Sequence, residues 1–211
     1  MLKLTQVRKF ILTLGIFTLI SFSFSTIGLG FEDHSEFRVI GNPFEVSSIS
    51  IQHILGHVFW GMIAGLLSLR LNYVFLCGGF ALLLDADHLL QFLDVEMIVR
   101  MSHSIPFAIL VGFIMLGISK FRDFRLAAVS FSAIISHLAF DIWLSGQSGF
   151  GSTQFPLFSP FSVDMIILSE YSWLFLEIFA FGVVGIIAFM NRKFVKSETN
   201  STKIKKFKNT L

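Results

Sequence analysis

Cysteine is almost missing from this chain: Cys77 is the sole example in 211 residues, so no intramolecular disulfide can staple the fold. It sits in an apolar run and reads as a small core residue rather than a nucleophile. Charge is scarce too, with Asp, Glu, Lys and Arg together at 14% against 54% hydrophobic residues and a mean hydropathy of +0.77. That balance excludes an ordinary soluble domain, and 27 phenylalanines are more than such a domain of this size could bury. No internal repeat, glycine-rich phosphate loop or nucleic-acid motif is found. What remains is room for five or six membrane helices of about 20 residues each, and little else.

Apolar runs predict six helices at roughly 10–30, 51–69, 72–90, 103–120, 124–144 and 172–191. Basic charge is nearly absent from one side of that arrangement. The N-terminus, Arg70, the 119–125 turn and the segment after 191 hold 14 of the 16 Lys and Arg, leaving Arg38 and Arg100 opposite. The positive-inside rule puts both termini in the cytoplasm of a multi-pass protein of the inner or plasma membrane. Residues 1–191 form one helical membrane domain, and 192–211 read as a basic, disordered cytoplasmic tail near anionic headgroups. The first segment has the basic and apolar regions of a secretory signal, with Ser-Phe-Ser as a weak cleavage site, yet Phe10 to Gly30 is long enough to span and is expected to stay. Residues 31–50 read as an acidic outer loop. Gly and Pro between 145 and 170, interleaved with Phe150, Phe155, Phe158 and Phe161, argue for a loop folded on the membrane surface, either a lid or a plain interfacial connection.

The buried ionisable residues agree in depth. At about 1.5 Å per residue from each helix's inner end, Asp85, His57 and His137 lie about 18–20 Å up, Glu177 about 22 Å, and His53, His88, His103 and Asp141 about 24–25 Å. Asp87 falls in the same layer, about 5–12 Å below the outer interface of a core about 30 Å thick. His53 and His57, Asp85 and His88, and His137 and Asp141 are each spaced to share a helix face. Such groups in lipid must be neutralised or put to use. Imidazoles and carboxylates together suit a divalent transition metal, zinc first, with manganese or iron as alternatives. The set His57, Asp85, Asp87, His88, His103, His137 and Asp141, with His53 as a further candidate, exceeds the shell of one zinc, so two ions bridged by a carboxylate are open to it.

The motifs His57-Val-Phe-Trp-Gly61, Asp85-Ala-Asp87-His88, Ser102-His103-Ser104, His137-Leu-Ala-Phe-Asp141 and Ser159-Pro160-Phe161-Ser162 follow one another in an order that resembles the YdjM-like family. The resemblance covers about 53–162. These are inner-membrane proteins classed as metal-dependent hydrolases and thought distantly similar to zinc-dependent phospholipase C and P1 nuclease. The resemblance implies phosphoester hydrolysis by analogy of fold and ligands. Leu84 stands where the family usually has proline, and Ile98-Val-Arg100 stands where it often has His-Arg-Gly.

The expectation is an all-α polytopic membrane protein whose metal site opens to the external side and hydrolyses a phosphoester of a lipid or lipid-linked headgroup. Asp87 or Glu177 would act as general base and Arg100 would offset phosphate charge. No nucleic-acid partner is expected, and the oligomeric state is not legible. Two rivals stand beside it. An ion or proton transporter should carry polar groups on toward the inner face, where these helices are nearly all apolar. A non-catalytic protein that uses metal to lock its helices is the other.

Overall fold

In the computed structural model, residues 4–30, 50–93, 100–148 and 152–208 are described. The elements are α1 (Leu4–Ser25) with a 3₁₀ turn over Thr26–Gly30, α2 (Ile51–Gly65), α3 (Leu71–Leu83) with a 3₁₀ segment over Leu84–Leu93, α4 (Ile105–Ile118), α5 (Phe124–Ser148) and α6 (Ser172–Lys208). Among the described residues the only strands are β1 (Gln154–Phe155) and β2 (Ile166–Ile167), paired antiparallel with Gln154 opposite Ile167. The chain is an all-α polytopic membrane protein: five of its helical segments are long and apolar enough to cross a bilayer, and α4 is a shorter apolar helix.

The structure departs from the sequence reading at several element boundaries. The third helix changes from α to 3₁₀ at Leu84, so the Asp-Ala-Asp-His motif lies on the tighter spiral. The fourth helix begins at Ile105 rather than 103, because Ser104 caps it: its Oγ accepts from Phe107 N at 3.3 Å, and Pro106 occupies the first turn. The fifth runs on to Ser148. The sixth continues through Lys208, so residues 192–208 extend a helix where a disordered tail was expected. The outer loop expected at 31–50 lies outside the described residues apart from Ser50.

α5 is the hub, packed against α2, α3, α4 and α6, and 78% of its apolar window is buried against 22% for α1 and α6. Small residues allow this: Ala128, Ser130, Ser132, Ala133, Ser136 and Ala139 are all buried along it. Ser132 Oγ donates to Ala180 O at 2.9 Å, a hydroxyl answering a carbonyl across two helices. Outward, the bundle shows Phe59, Phe75, Phe113, Phe175, Phe179 and Phe189, each more than half exposed. In water such a surface would aggregate; against acyl chains it is the expected one.

The α2–α3 crossing sets the site's spacing. A Cβ on Gly61 would sit 2.7 Å from Cys77 O and Ala81 Cβ, and one on Gly78 would sit 2.7 Å from Val58 O. Backbone thus lies on backbone, a contact only glycine permits at those positions. His57 is one turn from Gly61 and Asp85 one turn from Ala81, so close packing below delivers the two side chains to each other above. At the opposite end Tyr73 Oη donates to Asp123 Oδ2, while Asp123 Oδ1 caps α5 by accepting from Leu126 N at 3.0 Å.

Candidate metal centre

Three chain breaks in regular α-helix build the site. Ser50 caps α2, its Oγ accepting from His53 N at 3.2 Å, which puts His53 and His57 on the first two turns. α3 makes its last α-type bond from Leu84 N to Phe80 O, leaving the next carbonyl, Ala81 O, free to accept from His137 Nδ1 at 2.7 Å. Beyond it the 3₁₀ turn eclipses residues three apart, bringing His88 Nε2 to 3.1 Å from Asp85 Oδ1. The turn before α4 carries His103, whose N–H donates to Arg100 O at 2.9 Å.

Asp85 is the centre of the cluster. Its Oδ1 lies 3.1 Å from His88 Nε2, 3.4 Å from His103 Nε2 and 3.3 Å from His137 Nε2. Its Oδ2 lies 3.2 Å from His53 Nε2 and 3.4 Å from His57 Nε2. Asp141 divides in the same way, with Oδ1 3.4 Å from His57 Nε2 and Oδ2 3.8 Å from His137 Nε2. The two carboxylates therefore each face two sets of imidazoles. His57 and His137 stack face to face with centroids 3.7 Å apart, and Phe140 closes on His57 edge-on at 4.7 Å. His57, His103, His137 and Asp141 are fully buried, and the Asp85 side chain is 10% exposed, the one opening among the carboxylates of the cluster.

These residues fit a metal. Asp85 Oδ1 and Asp141 Oδ1 are buried without a hydrogen-bond partner, although imidazole nitrogens stand within 3.4 Å of both. His53 Nε2 faces His57 Nε2 at 2.8 Å and His103 Nε2 faces His137 Nε2 at 2.9 Å, and one proton at most can lie between each pair. Ligand atoms about 2.0–2.1 Å from a tetrahedral ion are about 3.3–3.4 Å from one another, which is the carboxylate-to-imidazole spacing seen here. Four overlapping groups can hold an ion: His53, His57 and Asp141; His57, Asp85 and His137; Asp85, His88 and His103; and His103, His137 and Asp141.

Seven of the expected side chains come together, His53 among them as a full member. The other three take different places. Asp87, expected as ligand, bridge or base, belongs to no ligand group: its Oδ2 accepts from Ser25 Oγ and Ser102 Oγ, both at 2.8 Å, and lies 3.6 Å from His103 Nδ1. It stands behind a ligand, where a carboxylate fixes the tautomer and tilt of an imidazole. Glu177 also stands outside the ligand groups, on α6, with neither carboxylate oxygen hydrogen-bonded. Arg100 is at the rim, its Nη1 donating to Asp141 Oδ2 at 3.3 Å, on a left-handed backbone with φ 63°. A side chain at that φ is strained by about 1–2 kcal/mol, and the ion pair to Asp141 holds it there.

Sequence reasoning passed over Ser25 and the Ala81 carbonyl, and had Ser102 only as part of the Ser102-His103-Ser104 motif. Ser21 and Ser25, four apart in an apolar helix, were the available signal for the first; a main-chain carbonyl leaves none. The 152–171 segment covers His103: Phe155 is buried with its ring parallel to the imidazole at 6.4 Å, Ser104 Oγ donates to Ser159 O at 3.1 Å and Ile105 N to Leu157 O at 3.0 Å. Of its other phenylalanines, Phe158 and Phe161 are exposed.

Residues 49–203 match the model of the YdjM inner membrane protein family, extending the likeness well past the motifs. No curated protein and no solved structure matches the chain.

Proposed function

The chain belongs to the YdjM inner membrane protein family, and from that premise we propose that it is a membrane-bound, metal-dependent hydrolase of a phosphoester in a lipid or lipid-linked headgroup. The observation that carries this reading is Asp85, one carboxylate with each oxygen turned to a different set of imidazoles. Two divalent ions sharing Asp85, zinc by preference, would use His53 and His57 on one side and His88, His103 and His137 on the other. Asp141 would complete either shell. Bound there, such ions supply Lewis acidity to a phosphoryl oxygen and a water acidic enough to attack near neutral pH.

The protein's own residues do the rest. Asp87 and Ala81 O hold His103 and His137 in the tautomer that turns Nε2 inward. Arg100, 14% exposed at the rim, is the cation placed to meet the substrate's phosphate. With Asp87 engaged by two hydroxyls and Glu177 outside the cluster, Asp141 is the carboxylate that would hold a proton at Oδ1 where it is not used as a ligand. The charge distribution supports a reading with both termini in the cytoplasm and the site toward the external leaflet, about 5–12 Å below the outer interface and so within reach of a lipid headgroup.

The near-complete burial of the ligands favours one rival, a metal that only locks helices. Hydrolysis of phosphodiester and phosphomonoester lipids by metal-loaded protein in detergent separates the two. Catalysis predicts that Arg100→Gln keeps the metal and loses turnover. Metal-replete wild type inert toward every such lipid would remove the enzyme reading and leave the scaffold.

A further inference from the structure

We propose that α1 is a retained working part of the metal centre, with Ser25 acting as a positioning residue for His103 through Asp87; this rests on the metal reading above. The N-terminal segment looks like a secretory leader and lies outside the family match over residues 49–203. Its contacts are those of a built component. Phe17 is fully buried and stacks on Phe80 with centroids 4.5 Å apart, and Phe24 meets Phe107 at 4.7 Å. Ser21 Oγ donates to Leu84 O at 3.1 Å, at the residue where α3 turns into the ligand-bearing 3₁₀ segment.

Ser25 goes further, because it touches the group behind a ligand. Its Oγ donates to Asp87 Oδ2 at 2.8 Å and accepts from Ser102 N at 3.3 Å, while Ser102 Oγ donates to the same Asp87 oxygen at 2.8 Å. Ser25, Ser102 and Asp87 are all buried, so no water stands ready to replace a missing hydroxyl. Among the described residues Asp87 Oδ1 has no hydrogen-bond partner, which leaves Oδ2 as the atom that fixes the carboxylate's orientation. That oxygen and Ser102 Oγ are what His103 Nδ1 faces, at 3.6 and 3.4 Å. Removing Ser25 Oγ frees Asp87 to rotate and loosens the tilt of the His103 imidazole. Cleavage at either Ser-Phe-Ser sequence would sever Ser25 from its helix and abolish the relay.

The test uses full-length protein in detergent, with Zn²⁺ affinity measured against a chromophoric chelator and the Co²⁺-loaded visible spectrum as a signature of ligand geometry. Ser25→Ala is expected to weaken Zn²⁺ binding by about 10- to 100-fold, the usual cost of losing an outer-shell partner, and to shift the Co²⁺ bands. Ser25→Thr restores both. Phe17→Leu is the control for α1 docking, since Phe17 packs the same helix on Phe80 of α3 about two turns from Ser25, and it should bind as wild type. Intact mass of the purified protein should include α1. Wild-type affinity in Ser25→Ala, an equal loss in Phe17→Leu, or a mature chain lacking α1 would each overturn the proposal alone. Wild type that binds neither ion would take the metal reading down with it.

Discussion

Replacing Asp85 by Asn is the sharpest perturbation, because the change is nearly isosteric and acts on the carboxylate that lies against five imidazoles of both sets. The side chain has five imidazole nitrogens within 3.4 Å, two facing Oδ2 and three facing Oδ1. Asn keeps a single carbonyl oxygen, so it can serve one set and presents an NH₂ to the other. Metal binding at four-ligand zinc sites is worth about 10–16 kcal/mol, or about 2.5–4 kcal/mol per ligand. At 1.4 kcal/mol per decade, one lost ligand weakens an ion by about 10²–10³. The expectation is therefore a drop from two ions to one at zinc concentrations that just saturate wild type, with the survivor weakened by loss of the shared charge. Elemental analysis after equilibrium dialysis reads the stoichiometry, and chelator competition reads the affinity. Glu177→Gln, a carboxylate of similar depth outside the ligand groups, should change neither. If Asp85→Asn retains two ions at wild-type affinity, Asp85 does not bridge and the division of the cluster into two sets has no chemical meaning.

Three further outcomes are expected. Neutral imidazole is the binding form, so metal affinity should be full at neutral pH and fall as pH drops below about 6.5, by up to about tenfold per unit for each histidine that must shed a proton; pH-independent binding from 5 to 8 would contradict a histidine shell. Gly61→Ala should cost about 1–3 kcal/mol and reduce metal content, since its Cβ meets the α3 backbone, whereas Gly117→Ala, with nothing within 4 Å, should be neutral in thermal unfolding. Cysteines placed in the 31–50 and 145–170 loops should react with an impermeant thiol reagent from outside, with no background from buried Cys77; labelling only after permeabilisation would invert the proposed orientation.

The helices and the ligand layer were legible because both follow from the cost of polar groups in hydrocarbon: apolar runs must span, and ionisable residues must meet. His53, His57, Asp85, His88, His103, His137 and Asp141 could be collected by depth alone. Depth could not rank them, however. Asp85 and Asp87 differ by two residues and share a layer, yet on a 3₁₀ spiral the first points at five imidazoles and the second at two serines. The change of spiral at Leu84 has no signal in the apolar pattern, which runs on through the motif. Glu177 shows the converse limit, for equal depth did not bring it across the bundle. The α6 extension was missed because the polar composition after 191 reads as coil when the preceding helix is not considered.

The bond from His137 Nδ1 to the Ala81 carbonyl has an evolutionary consequence. The ligand's tautomer is wired to main chain at the point where α3 gives up its last α-type bond, so every residue type at position 81 supplies the same acceptor. The side chain at 81 matters only through packing, since Ala81 is buried against Gly61 of α2. A single insertion or deletion between Gly78 and Leu84 would instead swing the carbonyl about 100° around the helix axis and cut it. The acceptor is thus indifferent to side-chain chemistry but exposed to change in length, and lineages retaining the metal should keep position 81 small and hold this stretch to a fixed count of residues.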